Sequence, residues 1–172
     1  NSKEIENLIN LNQLKIYNCY EGKIGTEICS LINLRILHVV NSGIKSIPVE
    51  ISNLIHLEAL YVNLNYIKVI PAEICKLTNL KELCFQTNEI KEIPKNIWNL
   101  FKLKILNLSK NKIRQVPKSF GKLMNLEQLY LYKNEIEELP KTLHNMINLT
   151  HFNLCHNKIL FFPDKIKLLE NY

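Results

Sequence analysis

Apolar side chains recur along the chain with an unvarying period of 23 residues. Each unit opens on a leucine, and the seven units start without insertion or deletion at Leu11, Leu34, Leu57, Leu80, Leu103, Leu126 and Leu149. Counted from that leucine, positions 4, 6, 14, 18 and 21 are apolar in every unit, and position 11 is isoleucine in all but the first. A pattern that stays in phase over this length predicts a repeat architecture.

The two halves of each unit have different periodicities. Positions 3 to 7 alternate between apolar and variable residues, which is typical of a strand with one buried face. Positions 18 and 21 are spaced like one face of a helical turn. We therefore expect each unit to be a strand, a turn and a short helical or 3₁₀ return. One unit buries too little apolar surface to fold alone, so the units must stack and pair their strands into one parallel sheet.

Two polar or conformationally restricted columns mark the turns. Position 9 carries Asn65, Asn88, Asn111, Asn134 and Asn157, whose buried amides are expected to bind backbone groups that leave the sheet. Proline follows position 14 in six units, from Pro48 to Pro163, and is expected to hold an extended-to-helical corner. The first unit has Cys19, Glu21 and Gly25 instead of the usual residues, so we expect it to be looser or to form a modified turn.

With these columns the chain resembles the leucine-rich repeat family, whose unit reads Leu-x-x-Leu-x-Leu-x-x-Asn/Cys-x-Leu. The 23-residue length and the Ile-Pro-x-x-Ile-x-x-Leu second half resemble the short class found in intracellular Ras-pathway scaffolds, plant intracellular relatives and bacterial repeat proteins. The resemblance implies an α/β fold, a right-handed β-α solenoid curved into a horseshoe arc. Its concave side would be a parallel sheet of about seven strands, and its convex side would carry the short helical or 3₁₀ segments.

We expect residues 1–172 to form a single repeat domain, with residues 1–10 matching the closing part of a preceding unit. This match predicts that the chain is a piece of a longer protein. Ends without capping units are expected to expose apolar core and to allow end-to-end self-association.

The five cysteines favour an intracellular, cytoplasmic location. Cys29 and Cys75 share a column but lie two units apart, about 10 Å at sheet spacing, which is too far for a disulfide. Reduced thiols are typical of intracellular proteins. A secreted or surface-exposed location stays open, because flanking segments decide it.

Motifs of catalysis are absent from the sequence. It contains no glycine-rich phosphate loop, nucleophile elbow or His-Glu zinc helix, so we expect no enzymatic activity and no cofactor. His151 and Cys155 lie four residues apart on a predicted strand, hence about 13 Å apart, too far to share a metal ion. We therefore expect no metal site.

The informative surface is the concave face, which we define as positions 2, 3, 5, 7 and 8. Tyrosine there is typical of binding surfaces, so we predict a non-catalytic module that binds a protein partner. The candidate contact residues are Tyr17, Ile36, His38, Val40, Tyr61, Asn63, Leu64, Cys84, Gln86, Asn107, Lys110, Tyr130, Tyr132, Lys133, Asn153 and His156.

Two groups stand out on this face. An apolar patch joins Ile36, Val40, Ala59, Tyr61, Leu64 and Tyr66, and a polar-aromatic patch joins Tyr130, Tyr132, Lys110, Lys133 and His156. The alternative is that the aromatic residues form cross-strand pairs that only stabilise the sheet.

Charge suggests a different function. The net charge is +6, and position 12 stacks a basic stripe of Lys45, Lys68, Lys91 and Arg114 that would suit anionic lipid or nucleic acid. Against this, Glu89, Lys112, Glu135 and Lys158 alternate at position 10, and the basic residues between 102 and 122 encircle the fifth unit. We therefore do not favour a nucleic-acid or membrane partner. A third possibility is a regulatory repeat domain of a larger enzyme or scaffold.

Overall fold

A computed structural model describes residue 5 and residues 7–161. In this part of the chain, seven parallel strands form one open sheet in chain order, each paired with the next. The strands are β1 (Gln13–Tyr17), β2 (Ile36–Val40), β3 (Ala59–Tyr61), β4 (Glu82–Cys84), β5 (Ile105–Asn107), β6 (Gln128–Tyr130) and β7 (His151–Asn153). The predicted solenoid with a concave parallel sheet is confirmed.

The return segment after each of the first six strands contains a 3₁₀ helix. These helices span Ile28–Ser30, Val49–Asn53, Ala72–Lys76, Ile97–Asn99, Lys118–Lys122 and Lys141–Asn145. Four of them begin directly after a proline in extended or near-extended backbone, such as Pro48 with φ −69° and ψ 152°. The fixed φ of proline suits this corner, as the sequence predicts.

Pairing between strands follows the sequence period. Leu14 pairs with Leu37, and Leu60 pairs with Leu83, each 23 residues apart. As a result every apolar column continues from one unit to the next, and Leu60 and Leu129 are fully buried. The core is therefore a rod of leucine and isoleucine side chains between the sheet and the 3₁₀ helices.

The asparagine column connects each unit to the one before it. The Oδ1 atom of Asn65 accepts the N–H groups of Ser42 and Ile44, and its Nδ2 atom donates to the carbonyls of Val39 and Val62. A similar pattern recurs at Asn88, Asn111, Asn134 and Asn157. In each of them the Oδ1 atom accepts one N–H group of the preceding unit, and the Nδ2 atom donates to carbonyls of both units. The predicted role of the buried amides is confirmed.

The first unit has the modified turn that its sequence predicts. Position 8 has a positive φ in all seven units, and the second unit adds Gly43 at position 10 with a φ of 71°. The first unit adds two such residues, Tyr20 and Gly22 at positions 10 and 12, with φ values of 40° and 76°. Cys19 is exposed, and its N–H group donates to the hydroxyl of Ser42. Leu14 of this unit is only half-buried, so the unit is also packed less completely.

Two later units approach each other unusually closely on the convex side. Gly121 is buried, and a Cβ atom added to it would lie 2.2 Å from the carbonyl oxygen of Thr142. Only glycine permits this contact between the 3₁₀ helices Lys118–Lys122 and Lys141–Asn145.

Along the described part of the chain, no helix is long and apolar enough to cross a bilayer.

Candidate partner-binding surface

The concave face is built from the outward positions of the strands and from the turn residue that follows them. Strand alternation directs positions 3, 5 and 7 away from the core. Position 8 comes next in the left-handed backbone region, at Leu64, Lys110 and Lys133 among others. This conformation is uncommon for residues other than glycine, and it recurs in each unit because the turn is the same.

A column of aromatic rings crosses the first three strands. The rings of His38 and Tyr61 are stacked, with centroids 4.2 Å apart and an interplanar angle of 18°. Tyr17 lies on the other side of His38, with centroids 6.1 Å apart, and its hydroxyl is 3.2 Å from His38 Nδ1. The three rings form one continuous group, which we call the aromatic column.

Hydrogen bonding and burial set the charge state of this column. The Tyr61 hydroxyl donates to the Glu82 carboxylate, and burial together with this contact raises the pKa of Tyr61 well above its usual range. Partial burial and the neighbouring Lys15 ammonium lower the pKa of His38 below 6.5, with Glu82 acting weakly in the opposite direction. Both rings are therefore neutral near pH 7.

The predicted apolar patch lies beside the aromatic column. Leu64 is 50% exposed and Tyr66 is 56% exposed. Ile36 and Val40 are half-buried, whereas Ala59 is buried and contributes little surface. The patch therefore presents Leu64 and Tyr66 prominently at the end of β3.

The predicted polar-aromatic patch lies on the last units. Tyr132 and His156 make an edge-to-face contact with ring centroids 5.2 Å apart. Tyr130 is half-buried and its hydroxyl donates to Gln128 Oε1 at 3.1 Å. Lys110 and Lys133 are exposed beside these rings.

Amides along the centre of the concave face bind the turn backbone. Asn63 Oδ1 accepts the N–H group of Gln86, and the Oδ1 atoms of Asn107 and Asn153 accept the N–H groups of Ser109 and Cys155. These amides have a structural role in addition to any contact with a partner.

The expectation that Cys84 is displayed to solvent is wrong. It points to the concave side of β4 but is only 7% exposed. Tyr61 and Asn107 pair with it on the two neighbouring strands, so larger side chains flank its small thiol. Burial and, secondarily, Glu82 raise the pKa of this thiol to about 12.

Ion pairs along position 2 were missed by the sequence reasoning. Glu58 binds Arg35 at 2.5 Å and Lys81 at 2.6 Å, and Lys104 binds Glu127 at 2.8 Å. Hydrogen bonds from Lys81 and Arg35 lower the pKa of Glu58. The sequence signal for these ion pairs was the alternation of basic and acidic residues at position 2. The pairs line one edge of the concave face.

The basic stripe is only partly compensated. Arg114 pairs with Glu135 at 3.2 Å, whereas Lys45, Lys68 and Lys91 are exposed and make no ion pair with any described residue. The alternating position 10 column forms the predicted pairs, Lys112 with Glu89 at 3.6 Å and Lys158 with Glu135 at 3.7 Å.

A second amide column, at position 23, also escaped the sequence reasoning. The Nδ2 atoms of Asn33, Asn79, Asn125 and Asn148 each donate to a carbonyl of the preceding unit, at 2.7 to 2.9 Å. Its signal was a recurrent asparagine two residues after position 21.

No group of three metal-ligating side chains comes together within residues 7–161.

Comparison with known proteins agrees with this architecture. A family model described as a leucine-rich repeat region matches residues 3–97 and 91–171. A leucine-rich repeat protein of Leptospira interrogans is 30% identical, with a TM-score of 0.78, over 98% of this chain and 49% of that one. A search of curated proteins finds no match.

Two plant receptors have similar structures. The ectodomain of the Arabidopsis thaliana membrane receptor kinase GASSHO1/SCHENGEN3, in complex with CASPARIAN STRIP INTEGRITY FACTOR 2, is 26% identical with a TM-score of 0.88, over 98% of this chain and 21% of that one. The plant peptide hormone receptor RGFR1, in complex with RGF2, is 28% identical with a TM-score of 0.79, over 90% of this chain and 30% of that one. The chain thus spans about half or less of the length of these proteins.

Proposed function

Because the chain belongs to the leucine-rich repeat family, we propose that it is a non-catalytic module that binds a protein partner through its concave face. The surface is preformed, because each outward side chain is fixed to a strand of a continuous sheet. A preformed surface loses little conformational entropy on binding, so contacts convert efficiently into affinity.

The aromatic groups carry this proposal. Three rings form the aromatic column on β1 to β3, and the Tyr132–His156 pair lies on the last units. Tyr17 keeps 47% of its surface exposed and Leu64 keeps 50%, so these groups are available to a partner. Tyrosine supplies a large amphipathic contact area and is enriched where binding energy concentrates.

The similar proteins support the same class of partner. The two plant receptors were solved as complexes, one with CASPARIAN STRIP INTEGRITY FACTOR 2 and one with RGF2. For this chain we propose a protein or extended peptide segment that lies across several strands. The lack of enzymatic activity is part of the proposal, since repeats of this family generally act as binding modules.

The proposal predicts a loss of affinity without a loss of stability when Tyr130 and Tyr132 are both changed to alanine. A peptide selected from a random displayed library on the immobilised wild-type chain serves as the probe. We expect the double variant to bind it at least about tenfold more weakly, the scale of one or two removed hot-spot residues. Fluorescence anisotropy gives the affinities, and thermal unfolding is expected to be nearly unchanged.

A matched control uses an aromatic residue on the convex side, away from the concave face. Phe101 is 51% exposed at position 22, and Phe101→Ala is expected to leave the affinity unchanged. If both variants bind as tightly as the wild type, or if the library yields no binder, the concave face is not the recognition surface.

The basic stripe supports the second candidate function, binding of anionic lipid or nucleic acid. Its three lysines without ion partners are the observation in its favour. This alternative predicts heparin affinity that falls steeply with salt and that Lys45→Glu with Lys68→Glu abolishes. Salt-independent or absent heparin binding would remove it.

We also propose a cytoplasmic location. All five cysteines are unbridged, and burial raises the pKa of both Cys29 and Cys75 to about 11, which disfavours their thiolate forms. A signal segment cleaved from the mature full-length protein would contradict this location. Attachment of the repeats to an enzyme or scaffold remains compatible with the concave-face proposal.

A further inference from the structure

The convex side carries a surface that the concave-face proposal does not use. Positions 18 and 21 point into the core, and positions 16, 20, 22 and 23 are directed outward. Position 19 is buried at Cys29, Cys75 and Gly121 but exposed at Trp98 and His144. In units four to six these positions fall in the segments 95–102, 118–125 and 141–148, which we call the convex patch. The patch covers three consecutive units, whose strands on the opposite side span about 10 Å.

Four large apolar side chains project from the convex patch. Trp98 is 41% exposed, Phe101 51%, Met124 55% and Ile147 77%. Phe101, Met124 and Ile147 all occupy position 22 in successive units, so they form a ridge. Exposed apolar groups in such a continuous arrangement mark a site of interaction.

Lysines surround this ridge and acidic residues are absent. The segments contain Lys95, Lys102, Lys118, Lys122 and Lys141, and neither Asp nor Glu. None of these lysines forms an ion pair with a residue in the described part of the chain. The Lys122 ammonium lies 4.5 Å from the centre of the Trp98 ring, which joins the charged and aromatic groups directly.

The equivalent segments of units one to three have the opposite charge. Segments 26–33, 49–56 and 72–79 contain Glu27, Glu50 and Glu73 against Lys76. Their position 22 residues Ile32 and Ile55 are nevertheless exposed to 54% and 56%. The apolar ridge thus runs along most of the convex side, but it coincides with positive charge only in the second half.

We propose that the convex patch docks on an anionic lipid bilayer, with Trp98, Phe101, Met124 and Ile147 entering the headgroup region and the lysines binding lipid phosphates and carboxylates. A bilayer with anionic lipids offers negative charge and an apolar interior in the same partner. Tryptophan is enriched at this interface because its ring is amphipathic. An acidic chain without apolar side chains would match the lysines but leave the ridge in water. The lysines that encircle the fifth unit in sequence are thereby divided between faces. This proposal departs from the sequence analysis, which did not favour a membrane partner.

Trp98 provides a direct measurement because it is the only tryptophan in the chain. Vesicles of phosphatidylcholine containing about one third phosphatidylserine are expected to shift its emission to shorter wavelength, and brominated lipid is expected to quench it. Vesicles of phosphatidylcholine alone are expected to produce neither change. Poly-glutamate tests the acidic-protein alternative, and we expect it to cause no blue shift.

Vesicle sedimentation tests whether lipid binding depends on the ridge of the convex patch and not on exposed apolar residues elsewhere on the convex side. The variant Phe101→Ser with Met124→Ser and Ile147→Ser is expected to bind the anionic vesicles at least about tenfold more weakly. The matched variant Ile32→Ser with Ile55→Ser alters the same column in the acidic half and is expected to bind normally. Circular dichroism confirms that each variant is folded, and Lys118→Glu with Lys122→Glu serves as a second test that leaves the ridge intact.

Four results would overturn the proposal: no sedimentation of the wild type with anionic vesicles, a Trp98 emission that does not change, an equal loss in the two serine variants, or retained binding in Lys118→Glu with Lys122→Glu. Loss of vesicle binding in Lys45→Glu with Lys68→Glu alone would assign the lipid contact to the basic stripe instead. The concave-face peptide affinity is expected to be unchanged in all of these variants.

Discussion

The side chain of Asn111 joins two units through four backbone groups. Its Oδ1 atom accepts the N–H group of Ile90, and its Nδ2 atom is bound to the carbonyls of Phe85, Leu108 and Ser109. All of these groups lie in buried backbone, where water cannot replace the amide. The column of asparagines therefore stabilises the contact between units as well as the turn within each unit.

We predict that Asn111→Ala lowers the free energy of unfolding by roughly 3 kcal/mol, since each buried group left without a partner costs about 1–3 kcal/mol. Asn145→Ala is the control, because Asn145 is exposed on the convex side, and its effect should be below about 0.5 kcal/mol. Urea unfolding measures both. Equal effects in the two variants would mean that the asparagine column does not stabilise the contact between units.

His38 makes stability depend on pH. Its folded-state pKa lies below 6.5 because of partial burial and the neighbouring Lys15, so the unfolded chain binds the proton more tightly. The neutral ring therefore contributes stability above pH 6.5, and this contribution is lost as the pH falls through the folded-state value. We expect NMR titration to place the His38 pKa below 6.5 and Lys15→Gln to raise it. Lys23→Gln should leave it unchanged, and an unperturbed His38 would disprove the burial argument.

At the residue scale, the sequence predicted the roles of residues that recur in every unit. It did not predict the roles that depend on the side chains of neighbouring strands. The buried amides at position 9 follow from their recurrence in a turn. Cys84 did not follow, because its burial depends on the size of Tyr61 and Asn107 on adjacent strands. The aromatic column likewise depends on the rotamers of Tyr17, His38 and Tyr61 on three adjacent strands, which the period alone does not specify.

At the scale of elements, Gly121 controls how closely two 3₁₀ helices pack. Position 19 carries residues as different as Cys29, Ser52 and Trp98 in other units, so the sequence alone does not distinguish a required glycine. In the structure an added Cβ atom would collide with the backbone of Thr142. Backbone cannot move aside as a flexible side chain does, so the two units would have to separate.

We predict that Gly121→Ala destabilises the chain by about 1–3 kcal/mol, the usual cost of forcing extra volume into a packed contact. Ser52→Ala changes the equivalent position in the second unit and should cost less than about 1 kcal/mol, because its hydroxyl makes only a local bond to Val49. Thermal and urea unfolding report the difference. An unchanged free energy of unfolding in Gly121→Ala would show that the two helices do not pack this closely.

At the scale of the whole molecule, a single period determines which side chains are hidden and which are displayed. Strands pair 23 residues apart along the entire sheet, and each apolar column is continuous. This part was predictable because buried positions repeat and cannot vary. The binding surfaces were predictable only as faces, because outward residues vary from unit to unit and their chemistry depends on which neighbours they meet. The convex side shows this most clearly, since its charge changes sign between the two halves of the chain.

The most direct test of this sorting is the reactivity of the five native thiols with a maleimide or a chromogenic disulfide reagent. Cys19 and Cys155 are exposed, whereas Cys29, Cys75 and Cys84 are buried. We predict that Cys19 and Cys155 react quickly in the native chain and that Cys29, Cys75 and Cys84 react only after unfolding. Peptide mapping identifies the labelled residues. Rapid labelling of Cys29 or Cys75 in the folded chain, or protection of Cys155, would contradict the 23-residue register and the surfaces derived from it. Rapid labelling of Cys84 would contradict only its cover by Tyr61 and Asn107.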